Sequence, residues 1–344
     1  MIIDPRVRSR AATLRRWALL LVAAVVLPSC ASGGGSPAGS TVTPIKFSFE
    51  WTCEGDWALA FVAEQQGYFA DEHVSVKYVR GQGGSAVLPL VATGEQDIAE
   101  VSAPPVVLGA DQDLPVTVVG VASTTSPVVL FADSSIKQPK DLEGKKVAVQ
   151  VGEFEGAVWK AFVKAAGLDE SKIQEVPASG TSNTLFIDHK VDAFISFYLD
   201  PATYALTKDR QGEETLLFMK DYVPTYGHTI VVNNRFLEKN PDAVRGFLRA
   251  FARAMQYATT HRDQTLALLN QKCPELSAGP AKFTMDAFVD DWNAGKAKQD
   301  GFLAFDPAGL EQTQKVLVEG GLTKESDLSS LSSTKYLPDP PIRP

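Results

Sequence analysis

From residue 45 onward, short apolar runs of two kinds alternate along the chain. Runs with every second position apolar predict strands. "IKFSFEW" (45–51) sets Ile45, Phe47, Phe49 and Trp51 on one face, and "VSVKYV" (74–79) is the next such run. Between them "WALAFVAEQQ" predicts a helix, with Asp56 as its N-cap and Gly67 as its stop. The loop "RGQGG" leads into a helix from Ser85, and 97–101 reads as a short strand. Pro104 and Pro105 open a further helix, in the first turn where proline is tolerated. "VTVVGVAS" (116–123) and "VVLFAD" (128–133) are again strands. Such a βαβα rhythm predicts a mainly parallel sheet covered by helices.

The rhythm then restarts. "DLEGKKVAVQVG" (141–152) holds a turn, a strand and a glycine, and "EGAVWKAFVKAAG" is a helix with Val158, Phe162, Val163 and Ala166 on one side. "VDAFISFY" (191–198) is a strand, Asp200 and Pro201 start another helix, and "TIVVNN" (229–234) is a strand. The strongest helical period lies in "NPDAVRGFLRAFARAMQYATTH", with Asn240 as cap and an apolar stripe of Val244, Phe247, Leu248, Phe251, Met255 and Ala258. Arg245, Arg249 and Arg253 fall four apart on another face and read as solvated. The chain stays helical to about residue 319 and is polar and irregular beyond. Two α/β units admit two crossings, near 124–127 and 224–228, marked by Pro127, Pro224 and Gly227. Two strands joining two lobes make a hinge. The expected division is lobe 1 at 44–126 and 229–336, and lobe 2 at 127–228.

The N-terminus departs from this pattern. Arg6, Arg8, Arg10, Arg15 and Arg16 precede "WALLLVAAVVLPSC", an apolar run too short to span a bilayer as a helix. That combination predicts a secretory signal over 1–29. Leu27-Pro28-Ser29-Cys30 resembles a lipoprotein signal in which Cys30 is lipidated, and Cys30 with the following "ASGGGSPAGSTVT" (30–43) reads as a flexible tether. The expected location is the outer face of a bacterial cell membrane, reached through the lipid anchor. The formal net charge of −8 argues against a nucleic-acid partner. Past Cys30 only Cys53 and Cys273 remain; they can pair in an oxidising compartment, but 220 residues separate them and the pairing stays open. Four scattered histidines and no paired-cysteine spacing leave no metal site, and no cofactor is expected.

In open α/β sheets ligands bind beyond the carboxyl ends of the strands. That rule selects Glu50, Trp51 and Trp57 after the first strand, then Gly83, Gly84 and Ser85, whose N–H groups at a helix start suit an anion or a polar ring edge. It adds Ser102, then Gly152, Glu153 and Phe154, then Phe197, Tyr198 and Asp200, with Tyr222 and Tyr226 flanking the return crossing. The aromatics suit a flat heteroaromatic ligand, and Glu50, Glu153 and Asp200 suit its N–H edge. Core packing is the competing role for Trp51 and Trp57. Arg80 is the one cation beside these loops, which favours a neutral or cationic ligand over a small anion. No serine-nucleophile elbow or phosphate loop is present, so a binding protein is expected rather than an enzyme.

"GYFADEHVSVKYVRGQGGSAVLPLVATGEQDIA", "DLEGKKVAV", "VDAFI" and "NPDAVRGFLRAFARAMQYA" occur in the order found in solute-binding proteins of nitrate, sulfonate, taurine and thiamine-pyrimidine ABC importers, and the chain resembles that family. The resemblance implies a type II periplasmic-binding-protein fold, α/β, with two lobes on a two-strand hinge and the ligand in the cleft. It also implies a monomer that delivers a small molecule to ABC permease subunits. "YGHTIVVNN", "YLP" and the tryptophan after the first strand are most similar to the pyrimidine-precursor binders. An alkanesulfonate, taurine or nitrate binder is the alternative ligand class. A secreted pyrimidine-synthesis enzyme of the same fold is the alternative function, although those enzymes carry a cysteine-rich signature and this region holds only Cys53. A lipoprotein that only docks to a partner is the third.

Overall fold

The computed structural model describes residues 41–150, 154–178, 181–199 and 214–344. The signal, Cys30, most of the tether, Gly152, Glu153 and Asp200 with its helix lie outside the described residues. Among the described residues, ten strands form two five-stranded sheets. The first has the order β2-β1-β3-β10-β4, from β1 (Thr43–Ser48), β2 (Val74–Val79), β3 (Ile98–Ser102), β4 (Val116–Val121) and β10 (His228–Asn233). The second has the order β7-β6-β8-β5-β9, from β5 (Val128–Asp133), β6 (Lys146–Val149), β7 (Gln174–Pro177), β8 (Ala193–Phe197) and β9 (Glu214–Phe218). Within each sheet the strands joined by helices run parallel, as crossover connections require. The sheets are nevertheless mixed. β5 runs antiparallel to β8 and β9, and β10 runs antiparallel to β3 and β4. Each of these two strands enters its sheet from the other one, with no crossover helix to turn the chain round.

The helices are α1 (Ala58–Gln65), α2 (Tyr68–Asp71), α3 (Gly84–Thr93), α4 (Ala103–Ala110), α5 (Phe154–Ala165), α6 (Ser182–Ile187), α7 (Asn234–Lys239), α8 (Pro241–Thr260), α9 (Arg262–Lys272), α10 (Ala278–Trp292), α11 (Ala297–Asp300) and α12 (Ala308–Glu319). The whole predicted stripe of α8 is buried, and Phe47 of β1 lies 5.2 Å from Phe247 and 5.3 Å from Phe251 between ring centroids. The arginine face of α8 is not simply solvated. Arg249 grips both carboxylate oxygens of Glu72, and Arg253 bonds Asp71 at 2.9 Å while lying 3.9 Å over the Tyr68 ring. These contacts dock α2 onto α8. Asn240 caps α8 through its backbone carbonyl and not its side chain, and the side-chain cap belongs to Asn233, which opens α7. Cys53 and Cys273 form a disulfide with a Cα separation of 6.2 Å, tying the segment after β1 to the end of α9.

The chain leaves the first sheet after Val121 and returns at His228. The two crossings run side by side: Gly227 N–H donates to the Ser123 carbonyl at 3.0 Å, and Ala122 N–H to the His228 carbonyl at 2.9 Å. A Cβ on Gly227 would meet the Thr125 carbonyl oxygen at 2.8 Å, so only glycine lets the crossings pack this closely. α12 follows a different path. Its Leu310 and Leu317 join the apolar cluster around α4, whereas Val316 joins the cluster of the second sheet with Val158 and Trp159.

Candidate ligand site

β1 stops at Ser48, one residue short of Phe49, and the chain then turns across the carboxyl end of the first sheet. Glu50 reaches over to β3, where its carboxylate accepts from the Ser102 N–H and from the Ser102 hydroxyl, both at 2.7 Å. Ser102 immediately precedes α4, so this carboxylate also sits at a helix N-terminus, where negative charge is favoured. Gly83, at φ +101°, adopts a backbone that side chains rarely allow and donates its N–H to the Glu50 carbonyl at 2.8 Å. Gly84 packs beneath the Glu50 carboxylate and the Pro105 ring, and any Cβ there would collide with both. The Trp51 ring lies beside Gly83 and is 47% exposed, a large apolar face left open to solvent.

Buried acids lie under this floor. Glu100 occupies β3 between Ile98 and Ser102, is 0% exposed, and its carboxyl oxygens have no hydrogen-bond partner within ordinary bonding distance among the described residues. Asp56 is also buried, and burial pushes its carboxyl up to about 8, with Glu50's charge adding to the rise. Burial likewise holds Glu100 well above the usual range, reinforced by repulsion from Asp56 and Glu50. His228 opens β10 with Nε2 3.7 Å from Glu50 Oε2, its ring 5.5 Å from Phe288 and its Nδ1 buried without a partner among the described residues.

A cavity of about 360 Å³ opens between α10 and the second sheet, beside the outgoing crossing. Tyr198 and Phe218 line it from the second sheet, Phe283 and Asp291 from α10, and Thr125 to Pro127 from the outgoing crossing. Tyr198 meets Phe218 edge-on at 5.3 Å and Phe283 at 5.2 Å. Lys220 also lines this cavity.

The sequence-derived site residues distribute unevenly over this arrangement. Glu50, Trp51, Gly83, Gly84 and Ser102 come together at the floor, and Tyr198 lines the cavity. Ser85 is exposed on the first turn of α3. Phe154 and Phe197 approach each other at 6.4 Å on the second sheet's side. Trp57 is instead a core residue: it stacks on Phe49 at 4.4 Å and is 8% exposed, because the turn Gly55–Trp57 folds inward. That inward turn also makes Asp56 a buried acid, not a side-chain cap. Trp51, by contrast, leaves the face of Phe47 and Phe49 because β1 has already ended. Tyr222 packs edge-on against Phe162 at 5.1 Å, and the Tyr226 hydroxyl donates to the Asp306 carbonyl at 2.9 Å, so both serve the packing around the return crossing. Gly83's N–H is spent on Glu50 and is not offered to an anion. Glu100, His228, Asp291, Phe218 and Phe283 escape the strand-end rule; an acid inside the apolar run "IAEVS" is the one such signal visible in the sequence.

Residues 55–265 match the family model described as NMT1/THI5 like. The chain belongs to the NMT1/THI5-like family. The formylaminopyrimidine-binding protein of Halalkalibacterium halodurans is 25% identical to this chain over 254 residues, covering 73% of this chain and 76% of that one. A 4-amino-5-hydroxymethyl-2-methylpyrimidine phosphate synthase of Legionella pneumophila is 24% identical over 222 residues, covering 62% of this chain and 69% of that protein. The crystal structure of the periplasmic aliphatic sulphonate binding protein SsuA from Escherichia coli superposes with a TM-score of 0.66 at 19% identity, over 84% of this chain and 97% of that one. This NMT1/THI5-like chain therefore has the two-lobed α/β fold of periplasmic binding proteins.

Proposed function

We propose that this family member is an extracytoplasmic solute-binding protein of an ABC importer, which captures a flat, N–H-bearing heteroaromatic molecule related to the thiamine pyrimidine and passes it to the permease. The observation that carries the reading is the composition of the cleft. Aromatic rings from the second sheet and from α10, with carboxylates of α10, line one cavity beside the outgoing chain crossing, where hinge closure buries a ligand. A cavity of about 360 Å³ accommodates one small ring system. We place lobe 1 at 44–126 and 229–336, lobe 2 at 127–228, and a lipid anchor on Cys30. The likeness to a formylaminopyrimidine-binding protein supports the ligand class, and the likeness to a synthase keeps the enzyme as the second reading.

Thermal shift decides among these. An aminopyrimidine at one hundred times its dissociation constant is expected to stabilise the purified protein by about 2.7 kcal/mol. Stabilisation by taurine or nitrate alone would transfer the protein to the anion binders. Turnover of an added pyrimidine precursor would establish the enzyme.

A further inference from the structure

The cavity between α10 and the second sheet contains one carboxylate that the fold satisfies on one oxygen only. Asp286 and Asp290 are drawn outward, Asp286 to Lys282 and Arg262 and Asp290 to Arg262. Asp291 is not. Its Oδ1 accepts the Thr125 hydroxyl at 2.6 Å, whereas Oδ2 is buried with no hydrogen-bond partner among the described residues. A buried acceptor without a donor is costly, and a fold that keeps one does so where something else supplies the donor. Burial holds the Asp291 carboxyl above its usual range, although the Ser123 and Thr125 hydroxyls, His228 and Lys220 all pull it down. The same cavity presents the rings of Tyr198, Phe218 and Phe283, enough apolar surface for one flat ring system.

We infer that Asp291 is the ligand's polar anchor, accepting an exocyclic amino N–H of an amino-heteroaromatic molecule, and that it sets selectivity for such molecules over their oxo counterparts. This rests on the solute-binding reading above. A site built to accept an N–H rejects an analogue that presents a lone pair there, because the buried acceptor stays unpaired and two lone pairs face each other. Thr125 lies on the outgoing crossing, so it positions Asp291 and joins the ligand's anchor to the segment that must move on closure. Lys220 lines the same cavity without bonding Oδ2, and it is the competitor for that oxygen.

Isothermal titration at pH 7.5 with 4-amino-2-methylpyrimidine and 2-methylpyrimidin-4-one tests this. The wild-type protein is expected to prefer the amine by at least tenfold. Asp291→Asn is expected to cut amine affinity tenfold or more and narrow the preference, with the melting temperature of the ligand-free protein unchanged or higher. Thr125→Val keeps the carboxylate, and a smaller loss in the same direction is expected; it decides the matter if the asparagine variant does not fold. Undiminished amine binding by Asp291→Asn, or an equal loss for both pyrimidines, overturns the anchor while leaving the solute-binding reading in place. Wild-type protein that binds only taurine or nitrate overturns the anchor together with the aromatic ligand. Wild-type protein that no small molecule stabilises overturns the solute-binding reading itself.

Discussion

Glu100 shows what a single residue costs at this site. It lies in the middle of a central strand, fully buried, with Asp56 and Glu50 as its charged neighbours. Asp56 and Glu100 hold their protons more tightly in the folded chain than in the unfolded one. Folding therefore binds protons as pH rises above the ordinary carboxylate range, and stability falls from there up to about 8, where Asp56 releases its proton. Glu100→Gln keeps the shape, removes one acid and relieves the other. Melting curves from pH 4 to 9 are expected to show no gain for the variant at pH 4 and a gain of about 1–3 kcal/mol near pH 8. An equal effect across that range would mean that Glu100 does not titrate with folding. Half of this pair was legible in the sequence. Strand alternation sets Glu100 on the face of Ile98 and so marks a buried acid. Its neighbour Asp56 reads locally as a helix cap, and only the inward turn at Gly55 reveals otherwise.

Elements followed the apolar pattern where at least one face of a strand or of a helix is covered. β2 and β5 match their predicted bounds residue for residue, and the α8 stripe is buried throughout. The pattern fails at the edges of the second sheet. β7 and β9 are edge strands whose residues are exposed or half-buried, so they carry no alternation to read. Pairing across distance is equally silent. The Cys53–Cys273 bridge closes 220 residues, and nothing local to either cysteine shows it. Gly55 packs on the backbone of Met285 in the same region, so two contacts hold the segment that presents Glu50 and Trp51. Replacing both cysteines by serine is expected to cost roughly 2–5 kcal/mol in denaturant unfolding and to weaken ligand binding with it. A variant that unfolds like wild type would assign the position of that segment to the Gly55 contact alone.

At the scale of the whole molecule, α12 is the element that hinge motion must accommodate. It is packed into the clusters of both sheets, with Leu310 and Leu317 on one side and Val316 on the other. Its C-terminal end is held against α5 by the Lys164–Glu319 pair at 3.2 Å and by Gly320, where a Cβ would collide with Ala157. The ion pair is largely solvated and contributes little. The close approach at Gly320 is the tighter constraint, because backbone and a methyl group leave no flexible atoms to yield. Closure over a ligand therefore keeps α5 and α12 together, with the bending confined to the two crossings beside Gly227. Gly320→Leu forces α5 away from α12 while leaving both sheets and the residues of the floor untouched. Small-angle scattering is expected to show a larger radius of gyration for this variant with ligand present. Ligand affinity is expected to fall tenfold or more, since each population of an open state subtracts from the competent one. The melting temperature of the ligand-free protein should fall only modestly, by the equivalent of about 1–3 kcal/mol for a local overpacking. A variant that binds and compacts like wild type would show that α12 travels with one sheet alone and slides past the other on closure.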